Sequence, residues 1–539
     1  MPGATLDHPT QSATADVDRS LKILDLFDYQ VRESGAEEFV ADVSMRLTYA
    51  EADQRANQIA RVLDSLQCSQ GQRVALLSHN RAEYVLLYLA AAKAGAVTVP
   101  LNFRLAPAEL EFILNDSGAT VVVAASALHP AIDAIRSMTP SVKHYVSLDP
   151  TDDARWAPIN DLADAESIEP PSIQVHSSWP LSQLYTSGTT GTPKGVVVTH
   201  GAMAWQVEQE AHVLQPLGAL QGRFLAVAPM YHAAVNFLWM TVAAWGGSVF
   251  VQENFDPVGT PEIMAREDIA WMLSVPAMMH ASIEVAPQLA GTFPSLKVIY
   301  YGGSTIDPSL LRSSMEYFGC EFLQVYGLTE TLGMVALNPR DHRLALEGRP
   351  HLLGAAGRSF PGCRIGIIGI DGQLLPEGEV GEIVLSGPQI MTEYWNRPEA
   401  TRETLQDGWL RTGDAGYLDS EGYLYITDRI KDMIISGGEN IYPREIEEVL
   451  LMHPNVVEVA VVGIPDTKWG ESVAAVVVPR HGGDSRLGEL LVELCVERLA
   501  KYKVPKHIDF VDALPRNAMG KVQKFEIRNR YWSGHDRRI

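Results

Sequence analysis

Apolar and polar residues alternate along the first part of the chain in a way that predicts parallel β-sheet. Short runs rich in branched apolar residues occur at Val74–Ser78, Ala96–Pro100 and Ala119–Ala124. Between and beside them lie helical patterns at Arg81–Ala94 and Pro107–Asn115. Strands that alternate with helices of this length are typical of βαβ units, whose strands run parallel in one sheet.

The same alternation resumes after a polar, proline-bearing segment at residues 166–180. Its strand patterns are Phe224–Ala228, Ser248–Val251 and Val298–Tyr301. The long uncharged stretch Ala233–Val251 is divided by Asn236 and by Gly246 and Gly247, so it predicts a buried helix, a turn and a strand and not a membrane span. We therefore expect two α/β lobes, at about residues 1–180 and 181–350.

From Gly354 onward, closely spaced Gly and Pro residues separate short strand patterns, which predicts a small β unit at about residues 351–428. Beyond Arg429, amphipathic helices at Pro443–Leu451 and Leu487–Leu499 mix with strand patterns at Glu458–Val462 and Val473–Val478. The predicted fold class is α/β, with a large N-terminal domain of two α/β lobes plus the β unit at 1–428. A small α+β C-terminal domain follows at 429–539.

Composition narrows the functional classes. The chain has 539 residues, 46% of them apolar, and a net charge of −23. That length exceeds one compact core, and the charge repels nucleic acid and anionic lipid, so we expect neither nucleic-acid partners nor stable membrane association. Its four cysteines show no paired spacing and the N-terminus lacks a signal-peptide pattern, so a reducing cytoplasm is the expected compartment. The oligomeric state is open, and a homo-oligomer is compatible with the sequence.

The segment Tyr185–Gly195, which reads Tyr-Thr-Ser-Gly-Thr-Thr-Gly-Thr-Pro-Lys-Gly, is the strongest chemical signal. Glycines let backbone N–H groups converge on an anion, hydroxyl groups add donors, and Lys194 adds a positive charge. A Walker loop is disfavoured because Pro193 stands where that pattern has glycine and no Ser or Thr follows Lys194. Considered alone, the segment is also compatible with an ordinary surface loop.

Five further segments occur in an order that matches one family. They are Tyr326–Thr331, Trp409–Asp414, Asp428–Asp432, Gly437–Asn440 and Pro515–Lys521. With the Tyr185–Gly195 segment, they make the chain resemble the adenylate-forming superfamily of acyl-CoA synthetases, luciferases and peptide-synthetase adenylation domains, over nearly its whole length.

The resemblance implies ATP, Mg²⁺ and coenzyme A as reactants. It implies that Lys521 bridges the carboxylate and the α-phosphate, that Glu330 holds Mg²⁺, and that His232 anchors the acyl group. Lys431 would be the hinge of a mobile C-terminal domain. The implied ATP site consists of Thr186, Ser187, Gly188, Thr189, Thr190, Lys194, Gly302, Gly303, Ser304, Tyr326, Gly327, Thr329, Asp414 and Arg429, and the implied CoA site of Gly437, Gly438 and Glu439.

The acyl group is less well defined by the sequence. Residues 233–239 contain no aspartate that could pair with a substrate ammonium, which disfavours amino acids, and Gly327 stands where acetate-type enzymes of this family carry tryptophan. We therefore expect a medium-chain or aromatic carboxylate. The expected acyl pocket consists of Val235, Asn236, Trp239, Tyr301, Leu328, Gly333 and Met334.

The leading hypothesis is an acid–CoA ligase that forms acyl-AMP and then acyl-CoA. An acyl-AMP ligase that loads a carrier protein is the alternative enzyme, and luciferase-type oxidation is less favoured. A nucleotide sensor or scaffold that has lost its chemistry is the non-enzymatic alternative, although such a protein would have little reason to keep both Glu330 and Lys521.

Overall fold

The computed structural model describes residues 20–186, 193–302, 306, 308–429, 432–436, 439–466, 468–516 and 522–533, without the side chains of residues 429, 439 and 440. The strands are β1 Glu38–Ala41, β2 Arg46–Thr48, β3 Arg73–Leu77, β4 Val97–Leu101, β5 Val121–Ala124, β6 His144–Ser147, β7 Ala157–Pro158, β8 Pro180–Thr186, β9 Lys194–Thr199, β10 Arg223–Ala226, β11 Ser248–Val251, β12 Ile269–Ser274, β13 Val298–Gly302, β14 Glu321–Tyr326, β15 Val335–Leu337, β16 Arg358–Ser359, β17 Arg364–Ile368, β18 Gly381–Ser386, β19 Glu393–Tyr394, β20 Leu405–Gln406, β21 Trp409–Leu418, β22 Leu424–Arg429, β23 Ile434–Ser436, β24 Glu439–Ile441, β25 Val456–Asp466, β26 Gly470–Pro479 and β27 His507–Phe510.

The helices are α1 Ile23–Glu33, α2 Tyr49–Ser65, α3 Ala82–Lys93, α4 Pro107–Ser117, α5 His129–Asp133, α6 Ile159–Asp164, α7 His200–Leu214, α8 Ala233–Trp245, α9 Gly259–Arg266, α10 Pro276–Val285, α11 Pro308–Phe318, α12 Pro339–Leu346, α13 Pro398–Thr404, α14 Pro443–Leu451, α15 Ser485–Arg498 and α16 Lys524–Trp532. The alternating strands and helices predicted from the sequence are confirmed, with ends that differ by a few residues. None of the described helices combines the length and the apolar character needed to cross a bilayer.

Two large, mostly parallel sheets form the N-terminal domain. One has eight strands in the order β19-β9-β8-β4-β3-β5-β6-β7, and the other has nine in the order β16-β15-β14-β13-β12-β10-β11-β1-β2. A five-stranded antiparallel unit of β17, β18, β20, β21 and β22 follows. The fold class is therefore α/β, as predicted, with a large N-terminal domain and a small C-terminal one.

Sheet membership differs from the lobe boundaries expected near residues 180 and 350. Strands β1 and β2, close to the start of the chain, complete the nine-stranded sheet by the parallel pairing of β1 with β11. Strands β8 and β9 belong to the eight-stranded sheet, and β19 joins that sheet by antiparallel pairing with β9. The units are therefore interleaved along the chain and not arranged one after another.

The main core lies between the two large sheets. One apolar cluster, the central cluster, contains alternate residues of β3, β5 and β9 and alternate residues of β10, β11 and β13. Residues of α1, α2, α3, α7 and α8 also belong to it. The intervening apolar residues of β3, β5, β10, β11 and β13 belong to separate clusters on the outer faces. Both faces of each sheet are thus covered, which explains why the strands read as nearly continuous apolar runs.

The C-terminal domain has its own sheet, in the order β24-β23-β26-β25 with β27 paired to β26. Its core includes Ile446 and Leu450 of α14 and Leu491 and Cys495 of α15. The backbone N–H of Arg444 in α14 donates to Asp428 Oδ2 of the preceding domain at 2.7 Å. This hydrogen bond joins the two domains across the segment around residue 430.

Candidate active site

The predicted phosphate-binding segment is flanked by β8 and β9, which form an antiparallel hairpin next to the edge strand β19 of the eight-stranded sheet. Strands β8 and β9 are antiparallel, and Thr186 pairs with Lys194 at the open end of the ladder. The predicted residues Ser187, Gly188, Thr189 and Thr190 lie outside the described part of the chain. The two strands therefore hold the ends of this segment, Thr186 and Lys194, opposite each other in the sheet.

A tyrosine that the sequence did not single out connects the hairpin to the predicted magnesium ligand. Tyr394 of β19 donates its hydroxyl to Glu330 Oε1 at 2.7 Å, and Lys194 Nζ lies 4.9 Å from the centroid of the Tyr394 ring. The backbone N–H of Met391 donates to the Glu330 carbonyl at 2.9 Å. Burial, reinforced by the neighbouring Glu330 carboxylate, raises the pKa of Tyr394, so its hydroxyl remains a donor. Glu330 and Lys194 thus converge through Tyr394.

Asp116 connects the β8–β9 hairpin to the segment that follows β19. Its side chain accepts from the Tyr185 hydroxyl at 2.7 Å and from Arg397 Nη2 at 2.6 Å, and its backbone carbonyl accepts from Trp395 Nε1 at 3.1 Å. Tyr185 belongs to β8, while Trp395 and Arg397 follow β19. One carboxylate at the end of α4 therefore fixes the hairpin and the β19 segment relative to each other.

The predicted adenosine contacts also meet in space. Tyr326, the last residue of β14, donates its hydroxyl to Asp414 Oδ2 at 2.6 Å, and Asp414 is only 4% exposed. Within the β21–β22 ladder, Asp414 pairs with Arg429, whose side chain is outside the described set. Two residues that lie 88 positions apart in sequence thus form one polar corner. A carboxylate there can accept hydrogen bonds from both hydroxyls of a ribose.

Gly302 and Gly327 are required by close backbone approaches. A Cβ at Gly302 would lie 2.5 Å from the Val325 carbonyl oxygen of the adjacent strand, and one at Gly327 would lie 1.7 Å from the Leu332 carbonyl oxygen. Gly327 is therefore explained by its own packing, and it gives no separate indication of a deep acyl pocket. Thr329 and Glu330 lie in the turn that this approach closes, while Gly303 and Ser304 lie outside the described residues.

Some of the residues expected to line the acyl pocket lie near one another in the structure. His232 is the residue before α8, and the Asn236 side chain reaches back to the His232 carbonyl at 3.3 Å and accepts from Trp239 Nε1 at 3.2 Å. The rings of Tyr231 and His232 lie 4.6 Å apart. Among the expected lining residues, Val235, Trp239 and Met334 belong to the central cluster, and Leu328 packs against it. Gly333 directly precedes Met334.

Tyr301 does not join these residues. Successive strand residues face opposite sides of a sheet, and Tyr301 lies in the outer cluster, with its hydroxyl bonded to Gln324 and His342. Its neighbour Tyr300 faces the central cluster. We therefore replace Tyr301 by Tyr300 among the candidate pocket residues.

The residues expected to act from the C-terminal domain lie mostly outside the described chain. These are Lys431, Gly437, Gly438 and Lys521, and for Glu439 only the backbone is described. The base of the Lys521 segment is fixed, because Arg516 and Val522 form an antiparallel bridge and Gln523 N donates to the Pro515 carbonyl at 2.8 Å.

The carboxylate present suits a magnesium ion that arrives with a nucleotide. Among the described residues, no cluster of three or more His, Cys, Asp and Glu side chains could hold a metal ion alone. Glu330 instead offers one carboxylate beside Lys194 and the hairpin. Mg²⁺ is commonly held by one or two carboxylates together with phosphate oxygens, so this donor set fits a metal–nucleotide complex.

Comparison with protein-family models gives two matches. A model described as AMP-binding enzyme matches residues 27–395, and one described as AMP-binding enzyme C-terminal domain matches residues 445–521. Tyr185, Lys194, Glu330 and Tyr394 all lie within the first match.

Individual proteins are similar to this chain over almost its whole length. A long-chain-fatty-acid–CoA ligase of Mycobacterium tuberculosis is 38% identical over 490 residues, covering 90% of this chain and 93% of that protein. A fatty acid–[acyl-carrier-protein] ligase of Streptomyces coeruleorubidus is 37% identical, covering 92% and 93%. The crystal structure of an anthranilate CoA ligase in complex with anthranoyl-AMP superimposes with a TM-score of 0.84 at 25% identity, covering 96% of this chain and 98% of that one.

Proposed function

Because this chain belongs to the family of AMP-binding enzymes, we propose that it is an ATP-dependent ligase that converts a carboxylic acid into acyl-AMP and then into acyl-CoA. The proposal is carried by the convergence of Lys194, Glu330 and Tyr394 at one end of the site, with Tyr326 and Asp414 forming the nucleoside corner. The acid is a medium-chain or aromatic carboxylate; of the relatives named above, the anthranilate CoA ligase acts on an aromatic acid and the Mycobacterium tuberculosis ligase on long-chain fatty acids.

In the first half-reaction a carboxylate oxygen attacks the α-phosphorus of ATP, and pyrophosphate leaves. The two reactants are anions, and two unit charges about 4 Å apart repel by roughly 4 kcal/mol at an effective dielectric constant near 20. Lys194 binds the phosphates, Lys521 bridges the carboxylate and the α-phosphate, and Glu330 would hold the magnesium ion. When bound, Mg²⁺ neutralises phosphate charge. His232 orients the acid, and Asp414 orients the ribose.

In the second half-reaction the CoA thiol releases its proton to solvent, its sulfur attacks the acyl carbonyl carbon, and the bond from that carbon to the phosphate oxygen breaks so that AMP leaves. Lys431 serves as the hinge that brings Gly437, Gly438 and Glu439 to the site in place of Lys521. Lys431 follows Asp428 by three positions in the sequence, and Asp428 accepts the Arg444 bond between the domains, so the proposed hinge falls at the domain boundary.

One relative supports a carrier protein, in place of CoA, as the acceptor of the acyl group. The fatty acid–[acyl-carrier-protein] ligase, 37% identical over 500 residues, transfers to a protein-borne thiol according to its name. The alternative is therefore an acyl-AMP ligase that loads a carrier protein. It differs from the CoA ligase only in the thiol that attacks, so the acceptor can be tested separately from adenylation.

The test uses purified protein with ATP, Mg²⁺ and a graded panel of aliphatic and aromatic acids. We expect acid-dependent pyrophosphate release, and thioester formation when CoA is added. Lys521→Ala should lower pyrophosphate release by about 100-fold or more while thioester formation from supplied acyl-AMP continues. Lys501→Ala, at a surface lysine of the same domain, serves as the control.

Failure of every acid to release pyrophosphate would end the proposal. Acyl-AMP that persists with CoA but disappears when a phosphopantetheine-bearing carrier protein is added would instead establish the alternative acceptor.

A further inference from the structure

Three polar side chains are buried together beside the candidate acyl pocket. Gln206 and Glu210 lie one turn apart on α7 and are both 0% exposed. Gln206 Nε2 donates to Glu210 Oε1 at 2.7 Å, and the Tyr300 hydroxyl lies 3.0 and 3.1 Å from the two Glu210 oxygens. Buried carboxyl groups are uncommon without a charged partner, so this cluster requires a reason beyond core packing.

The cluster lies against Gly333, one of the candidate acyl-pocket residues. A Cβ at Gly333 would lie 3.1 Å from Gln206 Nε2 and 3.1 Å from Glu210 Oε1. Tyr300 is on the inner face of β13, in the same cluster as Val235 and Trp239 of α8. The absence of a side chain at Gly333 therefore leaves the polar ends of the Gln206 and Glu210 side chains next to this candidate pocket residue.

One acceptor in this cluster is unsatisfied. Gln206 Oε1 is buried and has no hydrogen-bond partner among the described residues, although its amide nitrogen is bonded to Glu210. A buried acceptor without a partner costs about 1–3 kcal/mol. A ligand that brings a donor to this point recovers that cost.

The charge state of the three side chains determines which kind of ligand group can donate a hydrogen bond to Gln206 Oε1. Burial raises the pKa of Glu210 to about 8, despite the opposing hydrogen bonds from Tyr300 and Gln206. At neutral pH its carboxyl is therefore mainly protonated, and the cluster consists of neutral donors and acceptors. It suits a neutral hydroxyl group, and it disfavours a second carboxylate because no described cation is paired with Glu210.

We propose that Gln206, Glu210 and Tyr300 determine the specificity of the acyl pocket, and that the preferred acid carries a hydroxyl group on its acyl portion. The inference rests on the proposed acid activation and narrows its substrate class. Gln206 Oε1 accepts a hydrogen bond from the hydroxyl, and the Glu210 carboxyl fixes the Gln206 amide through the Nε2 contact. Acids that end in a second carboxylate are rejected.

The test compares three aromatic acids that differ at one position, which carries hydrogen, hydroxyl or carboxylate. The measured quantity is kcat/KM for acid-dependent pyrophosphate release. For the natural protein we expect at least a tenfold preference for the hydroxylated acid over the plain acid, because a site built to bind a hydroxyl rejects analogues that lack it. The dicarboxylate should be the poorest substrate.

Gln206→Met should reduce the preference for the hydroxylated acid to less than about threefold, because the acceptor for the substrate hydroxyl is removed. Gly333→Ala provides a second variant, since its methyl group would cover the two polar atoms and lower the rate with the hydroxylated acid most strongly. Glu208→Gln, at a partly exposed residue of the same helix, is the matched control and should keep the original preference.

An equal rate with the plain and hydroxylated acids, or a preference that survives both substitutions, would overturn the inference. Efficient use of the dicarboxylate would also contradict it. If no acid releases pyrophosphate from the natural protein, the failure lies with the proposed activity. The two failures are therefore distinguishable.

Discussion

Replacing the buried Glu210 by glutamine should change how the stability of the N-terminal domain depends on pH. The native carboxyl, whose pKa is raised by burial to about 8, keeps a proton that the unfolded chain releases near its ordinary pKa of 4.5. Between these values the native state binds more protons, so the natural protein loses stability as pH rises. Glutamine has a similar shape and does not titrate in this range. The variant should therefore gain stability relative to the natural protein as pH increases.

The magnitude follows from the proton difference. One pKa unit corresponds to about 1.4 kcal/mol, so between pH 5.5 and 7.5 the difference in unfolding free energy should grow by about 2.5 kcal/mol in favour of Glu210→Gln. For a domain of roughly 400 residues the unfolding entropy is about 0.8 kcal/mol per kelvin, so the relative Tm should rise by about 3 °C. Any lost hydrogen bond to Tyr300 or Gln206 contributes an offset that is nearly independent of pH.

Differential scanning calorimetry at several pH values in this interval measures the effect. The interval stays above the isoelectric point of about 5.1, where the protein would tend to aggregate. The titratable neighbours of Glu210 are Tyr300 and Cys363, and burial raises the pKa of both, so neither changes charge in the interval. Glu208→Gln is the control. A Tm difference between variant and natural protein that stays constant or narrows as pH rises would refute the reasoning.

Three further outcomes follow from the site geometry. Glu330→Gln should reduce acid-dependent pyrophosphate release by about 100-fold or more, whereas Tyr394→Phe, which removes only the hydrogen bond to Glu330, should reduce it by about tenfold or less. Asp414→Ala should lower kcat/KM for ATP by about 10–100-fold and leave the KM for the acid nearly unchanged; an equal effect on both substrates would contradict its ribose role. Asp116→Ala should lower the unfolding free energy by about 2–3 kcal/mol in thermal denaturation, because Arg397 and the Tyr185 hydroxyl lose their acceptor, and an unchanged Tm would contradict this anchor.

Local patterns were sufficient to predict the α/β architecture and the residues carried by motifs. Tyr326 and Asp414 stand in separate motifs, and the structure brings them into direct contact. Family resemblance could suggest that both bind one nucleotide. Periodicity alone could not, because the distance between two strand ends depends on the order of strands in a sheet.

The sequence did not reveal some site residues because their positions depend on which face of a sheet or helix they occupy and on the pairing of strands that are distant in the chain. Tyr300 and Tyr301 are adjacent residues of a strand buried on both sides, so the pattern could not decide which of them faces the central cluster. Tyr394 reaches Glu330 only because a two-residue strand pairs with β9, almost 200 positions earlier in the chain. Glu210 lies among Gln206, Glu208 and Gln209 in a polar stretch that would ordinarily be assigned to a solvent-exposed helix face.

The pairing of β19 with β9 also has a consequence for the expression of fragments of the protein. A fragment that stops near residue 350 would lack the strand that covers the outer edge of the eight-stranded sheet, and one that starts after β1 and β2 would lack two strands of the nine-stranded sheet. Exposed sheet edges favour intermolecular association. During synthesis on the ribosome, the nine-stranded sheet can be complete only after β16 has emerged, and the eight-stranded sheet only after β19 has emerged, so each sheet has an unpaired edge in the nascent polypeptide until then.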